Sequence, residues 1–323
     1  MKINEKNIKL WSNIGSRATL GLGILDIAKN NKNLLVVTCD VSTSAGLERY
    51  KKTLPNQYID LGIAEQNMIG VATGLASEKF DVITTTFAPF QTMRCCEQIK
   101  VNLGYMKEKI TMVGLASGLV LGNLGFTHCC IEDVGVLRSI PNIKIISPAD
   151  SLETIKTVQA ALKDKSSCYI RLTGGSNSKP IYNKNYNFKI GKSVTLKEGK
   201  NITIFGSGAI LSECLKAADM LDQAGFSTKV INMHTIKPID KNSIIDSCKR
   251  SKLLISVEEH NVIGGIGSAI AETISQIKNS PILLQFGIND TYGKSGSYEY
   301  LKKYYGLAHQ KILKDALKFL KKS

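Results

Sequence analysis

Apolar residues recur along this chain with two periods that take turns. Short runs rich in Val, Ile, Leu and Thr, at 34–39, 58–63, 81–87, 110–115, 143–147 and 168–172, read as buried strands. Between them, at 18–29, 66–78, 92–103, 133–139 and 152–163, apolar residues return at helical spacing. This rhythm predicts an α/β fold in which a mostly parallel sheet carries helices on both faces. The rhythm stops near Thr173. Gly174, Gly175, Ser176, Asn177, Ser178 and Pro180 are turn formers, followed by Asn, Lys and Tyr in alternation. It then resumes with strands at 202–205, 228–232, 253–258 and 282–286 and helices at 211–224, 240–249 and 268–275. A last helix, 310–320, has Ile312, Leu313, Ala316, Leu317 and Leu320 on one face. The expected organisation is two α/β domains, 1–175 and 201–323, joined by a linker over 176–200.

Composition agrees. The chain has 323 residues, 43% hydrophobic and 21% charged, which suits about two globular domains. No run of 18 apolar residues predicts a membrane span. The start, Met1-Lys2-Ile3-Asn4-Glu5-Lys6, is polar with no apolar signal core behind it, so a cytoplasmic location is expected. The net charge of +15 comes from lysines scattered along the whole chain. A scattered excess points away from nucleic acid and toward attraction of phosphorylated small molecules. The eight cysteines include the pairs Cys95-Cys96 and Cys129-Cys130, and none has C-x-x-C spacing. Reduced core thiols are expected and no metal site. Two glycine motifs are set aside. Tyr292-Gly293-Lys294-Ser295 lacks the earlier glycine of a phosphate loop, having Ile288 there, and Gly264-Gly265-Ile266-Gly267 reads as a tight helix–sheet turn.

The candidate chemistry lies in Ile59-Asp60-Leu61-Gly62-Ile63-Ala64-Glu65-Gln66-Asn67-Met68. A strand ends at a glycine and runs straight into a helix, with Glu65 at the corner among apolar neighbours. A carboxyl held there is expected to have a raised pKa and to donate a proton. Phe87 and Phe90 follow the next strand, three positions apart. A tuned acid beside an aromatic platform suits a flat heteroaromatic cofactor.

These segments, with Thr86-Phe87-Ala88-Pro89-Phe90, Glu97-Gln98-Ile99-Lys100, Thr127-His128, Ile131-Glu132-Asp133, Ser147-Pro148-Ala149-Asp150, Tyr169-Ile170-Arg171-Leu172 and Thr235-Ile236-Lys237-Pro238, resemble the C-terminal half of transketolase in its split, two-gene form. The resemblance runs from about Asn13 to Phe319. It implies a thiamine-diphosphate pyrimidine-binding domain followed by a transketolase C-terminal domain. It implies that Glu65 bonds a ring nitrogen of the pyrimidine, that Phe90 stacks on that ring, and that Phe87 is its neighbour. It implies that His128 contacts substrate near the reacting carbon, and that Arg17, Ser44 and Arg171 bind a sugar phosphate. The activity implied is transfer of a two-carbon ketol unit from a ketose phosphate to an aldose. His234 is expected to be structural, and His260 to lie at a domain or subunit interface.

Two departures qualify the resemblance. In the loop 115–126, Ala116 stands where ordinary transketolases carry a histidine, and Asn123 and Leu124 stand where they carry an acidic pair. Leu124 cannot accept a substrate hydroxyl, so a modified sugar, deoxygenated or nucleotide-linked, is expected. Nothing resembles the Gly-Asp-Gly…Asn segment that holds Mg2+ (or Ca2+) and diphosphate in this family. An N-terminal subunit is expected to supply it in an assembly of two chains of each kind, and this chain alone is expected to be inactive. The rival readings are an enzyme like deoxyxylulose-phosphate synthase or a 2-oxoacid dehydrogenase beta subunit, which share the glutamate, and a non-catalytic scaffold or regulatory paralogue. The Phe87/Phe90 spacing with Glu97-Gln98-Ile99 favours transketolase.

Overall fold

The computed structural model describes residues 1–321, so the last two positions of the domain expected over 201–323 lie outside it. Twelve strands occur among the described residues: β1 (Leu34–Thr38), β2 (Tyr58–Asp60), β3 (Asp81–Phe87), β4 (Ile110–Leu115), β5 (Ile143–Ile146), β6 (Ser167–Arg171), β7 (Val194–Lys197), β8 (Ile202–Gly206), β9 (Thr228–Asn232), β10 (Thr235–Lys237), β11 (Leu253–Asn261) and β12 (Ile282–Ile288). They form a seven-stranded sheet, β10-β5-β6-β4-β3-β1-β2, and a five-stranded sheet, β12-β11-β8-β9-β7. All pairs are parallel except β10 with β5 and β7 with β9.

The alternation of strand side chains explains the layers of the first sheet. Leu34, Val36, Ile83, Val113 and Ile170 face the helices Glu5–Ala28 and Ser151–Lys163, where they meet Leu20, Ile24 and Val158. Val37, Val82, Ile110, Met112 and Tyr169 face the opposite way, onto Met68, Ile69 and Ala72 of the helix Glu65–Ser77 and Val134 and Leu137 of Asp133–Arg138. Sheets covered on both sides need runs that are buried throughout, which is what β1, β4 and β6 show. The second sheet is likewise enclosed. Its Ile204, Val230 and Ile255 pack with Leu211, Ala218 and Leu221 of the helix Leu211–Gln223, and its Phe205, Ile231 and Leu254 pack with Ile244, Ile266 and Ile270.

Three local expectations change. The helix expected over 92–103 is instead a turn, the short helix Cys96–Gln98 and a π-helix, Ile99–Tyr105. A widened turn of that kind shifts side-chain direction and is frequent beside functional sites. The stretch expected as linker contains β7, which covers the edge of the second sheet through β9. β10, from the C-terminal part of the chain, closes the edge of the first sheet through Thr235 and Lys237.

A buried polar junction joins the two sheets. Arg171, 2% exposed, donates from Nε to both carboxylate oxygens of Asp133 at 3.0 and 2.8 Å. Its Nη2 donates to the carbonyls of Cys130 at 3.2 Å and of Glu259, on β11, at 2.7 Å. Tyr169 donates to the same Asp133 carboxylate at 2.7 Å. His260, on β11, accepts at Nε2 from the Gly135 N–H at 3.2 Å, and its Nδ1 lies 2.7 Å from the Asn261 carbonyl. Those partners fix the neutral, Nδ1-protonated ring, and burial pulls the pKa of His260 down to about 4 against the pull of Asp133. His260 thus lies at an interface between the two sheets of one chain.

Two expectations follow. Arg171→Met leaves the Asp133 carboxylate buried without its cation and should cost about 3–5 kcal/mol of stability in urea unfolding, much of which the added change Asp133→Asn should recover. His260 binds a proton in the unfolded chain below pH 6.5 but in the folded chain only near pH 4. The wild type should therefore gain stability over His260→Asn as pH rises from 4 to 6.5, by up to about 3 kcal/mol, read from unfolding midpoints at several pH values.

Candidate active site

Strand order around β1 reverses, with β2 on one side and β3 on the other. In an open α/β sheet, ligands bind outside the carboxyl ends of the strands at such a switch point. Five of the residues singled out in the sequence come from those ends. Ser44 follows β1, Glu65 follows β2, Phe87 closes β3 with Phe90 one turn on, and His128 follows β4.

The corner that carries Glu65 is built by Asp60. Its Oδ1 accepts from the N–H groups of Asp40, at 2.9 Å, and Gly62, at 3.1 Å, tying the ends of β1 and β2 together. Burial pushes the Asp60 carboxyl up, but these N–H groups outweigh it and hold the carboxyl below its ordinary range. Gly62 turns at φ +65, and Glu65 opens the helix that follows. Glu65 is 4% exposed, as expected. Its surroundings are not apolar throughout, for Oε2 accepts from Arg94 Nη1 at 2.8 Å. Arg94 comes from the turn that replaces the start of the expected helix. Its guanidinium carbon lies 4.1 Å from the centre of the Phe90 ring, and its carbonyl accepts from Gln66 Nε2 at 3.2 Å. The sequence reading passed over this arginine. The available signal was a cation four residues after an aromatic, a spacing that brings side chains together on a helical turn.

Phe87, Phe90 and His128 form one aromatic cluster. The centroids of Phe87 and Phe90 are 6.4 Å apart at 83°, and those of Phe90 and His128 are 5.4 Å apart at 73°. Phe87 and His128 are 6.4 Å apart. Such edge-on contacts fix the tilt of each ring. His128 is half-buried, with Nδ1 3.0 Å from Thr127 Oγ1.

Arg17 and Ser44 meet through backbone proximity. Arg17 Nη1 lies 3.5 Å from the Ser44 carbonyl, and burial lowers the arginine pKa. The helix bearing Arg17 and the loop bearing Ser44 approach so closely that a Cβ on Gly21 would sit 1.9 Å from the Gly46 carbonyl oxygen. Only glycine permits that contact. A cavity of about 380 Å3 opens here, lined by Ser16, Arg17, Thr43, Ser44, Gly175 and Ser176. Gly175 and Ser176 belong to the stretch that the sequence marked only as turn formers. Arg171 is not part of this cavity. The expectation that it binds sugar phosphate is corrected: it is 2% exposed, and its Nε and Nη2 bond Asp133, Cys130 and Glu259 inside the junction, outside this cavity.

The loop 115–126 is apolar for two separate reasons. Leu115, Ala116 and Leu119 are buried, and a Cβ on Gly118 would strike Glu259 across the junction. Leu124 is 57% exposed and packs no core. Burial pushes the Cys129 thiol up to about 11 and raises that of Cys130 as well, so the pair beside His128 is chemically quiet. The glycine turn at Gly264–Gly267 holds a carboxylate of its own chain. Glu258 accepts from the N–H groups of Ile266 at 2.7 Å and Gly267 at 2.9 Å, and a Cβ on Gly265 would lie 1.9 Å from its oxygen. No dinucleotide phosphate fits where that side chain sits. Among the described residues no group of three or more His, Cys, Asp or Glu is placed to hold a metal ion, and no helix is long and apolar enough to cross a membrane.

Comparison with known proteins gives matches over both sheets. Residues 12–177 match the family described as transketolase, pyrimidine binding domain, and residues 191–312 match transketolase, C-terminal domain. A putative transketolase C-terminal section of Methanocaldococcus jannaschii is 35% identical over 95% of this chain and 97% of its own length. A 6-deoxy-6-sulfo-D-fructose transketolase subunit of a Clostridium species is 33% identical over 91% of this chain and 90% of its own. A solved split gene transketolase, described as an inactive β4 tetramer, superposes with a TM-score of 0.85 and 30% identity, covering 95% of this chain and 98% of that one.

Proposed function

This chain belongs to the transketolase family, and we propose that it is the C-terminal (beta) subunit of a split, thiamine-diphosphate-dependent transketolase-like transferase. Its partner is an N-terminal subunit carrying the diphosphate-binding domain and its Mg2+ or Ca2+, in an assembly of two chains of each kind. The reaction is transfer of a two-carbon ketol unit from a ketose phosphate to an aldose. The observation that carries this reading is the convergence of Glu65, Phe87, Phe90 and His128 at the carboxyl ends of β2, β3 and β4.

The donor set fits an aminopyrimidine. A buried carboxylate lies beside a ring face, and a flat, N–H-bearing group, the Arg94 guanidinium, already satisfies both. Thiamine diphosphate supplies, when bound, a carbon nucleophile for the ketose carbonyl. Glu65 bonds a pyrimidine ring nitrogen and exchanges a proton there, sheltered from water by its burial. Phe90 offers its face to that ring, and Phe87 fixes the tilt of Phe90 from the side. His128, steadied by Thr127 and both rings, directs its Nε2 edge toward substrate. Arg17 and Ser44 receive the anionic end of the sugar in the cavity they share with Gly175 and Ser176.

Two observations support a partner. The relatives matched over nearly their whole length are described as a section and as a subunit of transketolases. The similar split-gene structure is described as inactive in its β4 form. All eight cysteines are free, which suits the cytoplasm we assign it. A modified sugar is the substrate class we favour, because Leu124 stands exposed where a hydroxyl would need an acceptor. That one relative is described as acting on a 6-deoxy-6-sulfo sugar points the same way.

Combined with its partner, the wild-type chain should transfer ketol units, and Glu65→Gln should lower kcat by about 10²–10⁴-fold while still co-eluting with the partner. A variant of unchanged kcat would remove Glu65 from the chemistry. A sugar lacking the hydroxyl that faces Leu124 should be turned over more efficiently than xylulose 5-phosphate in paired kcat/KM measurements. Efficient use of the ordinary pentose phosphate would refute the modified-sugar reading.

A further inference from the structure

The Glu65 carboxylate and the open face of Phe90 have one occupant in this chain. Arg94 holds both, with Nη1 2.8 Å from Glu65 Oε2 and the guanidinium carbon 4.1 Å above the Phe90 ring. Guanidinium is flat, delocalised and rich in N–H donors, so it presents to an acid and a ring face what a protonated aminopyrimidine presents. On the reading given under Proposed function, the cofactor ring needs the same acid and the same face. Two flat groups cannot share one contact distance over one ring.

We infer that Arg94 and the cofactor pyrimidine compete for a single seat, and that Arg94 must swing out before the ring is held. The residue is placed to do so. Its backbone is fixed by the bond from Gln66 to its carbonyl, whereas its side chain is 42% exposed and has solvent to move into. The arrangement also has a physical purpose. Glu65 is buried, and an unpartnered buried carboxylate is costly. Arg94 satisfies that carboxylate and covers the apolar ring until a better-fitting donor replaces it. The cost of this self-occupation falls on cofactor affinity and on the rate at which the seat opens.

The test is binding of thiamine diphosphate, with Mg2+, to the complex of this chain with its partner subunit, by titration calorimetry and stopped-flow mixing. Wild type is compared with Arg94→Ala and with Arg94→Lys, which keeps the charge but loses the flat fork. Losing a half-exposed ion pair and a cation–ring contact should tighten binding by about tenfold in Arg94→Ala and speed association. Arg94→Lys should tighten it less. Methylguanidinium chloride, well below denaturing concentration, should reverse the gain in Arg94→Ala by refilling the seat and should leave wild type little changed. A wild type that binds while Arg94→Ala binds equally or more weakly overturns this inference alone, and gives Arg94 a supporting place beside the ring. If no complex binds thiamine diphosphate, the cofactor reading falls and this inference falls with it.

Discussion

The architecture hangs on the buried guanidinium of Arg171. It stands at the end of β6 and reaches Asp133 at the start of one helix, the Cys130 carbonyl in the loop after β4, and the Glu259 carbonyl on β11 of the other sheet. Three chain segments and two sheets thus meet on one cation. A charge 2% exposed is tolerated only when it is paired and hydrogen-bonded, and the Nε bond shared between both oxygens of Asp133, itself bonded by Tyr169, with the two carbonyls on Nη2, supplies this. The junction is directional, so it fixes how the sheets face each other more sharply than apolar contact would. His128 lies two residues before Cys130, so the position of the aromatic cluster depends on this anchor.

The site in turn draws its geometry from backbone devices. Asp60 gathers the N–H groups of Asp40 and Gly62 and so aims the corner at Glu65. The Gly21–Gly46 approach brings the loop of Ser44 down on the helix of Arg17. Neither pair is among the residues proposed to hold cofactor or sugar, yet both help set the distance between the acid end and the anion end. Preorganisation of this kind is supplied by elements whose own conformation leaves little freedom.

The strands were legible because sheets covered on both faces demand uninterrupted apolar runs, and the chain supplies them from 34–39 to 282–286. Glu65, Phe87 and Phe90 stood out because each lies at or just after the end of a strand, whereas His128 was singled out only through the family resemblance. Arg171 was misread for a reason of principle. A short motif reports that an arginine is present, but whether it faces solvent or a buried aspartate is settled by Asp133, 38 positions away, and by β11. Arg94 escaped because its turn looked like the opening of a regular helix, which would have pointed it elsewhere. β10 could not be foreseen, since three residues have no period, and its partner β5 lies some ninety positions earlier.

The loop between β4 and His128 shows how burial separates two causes of one composition. Read along the sequence, Leu115 to Phe126 is unusually apolar, and every departure from an ordinary sugar site within it looks equally meaningful. In the fold, Ala116 and Leu119 are below 2% exposed and Gly118 abuts Glu259, so those positions answer to the junction that Arg171 anchors. A histidine at Ala116 would have to fit into that packed region, where φ is already +53. Leu124 carries no such duty. An exposed leucine that packs no core gains nothing from burial and gives up a hydrogen bond that a polar residue would offer. On the proposed function, its apolarity is better explained by what it meets outside the chain, and of the departures in this loop it is the one that reading ties to the substrate.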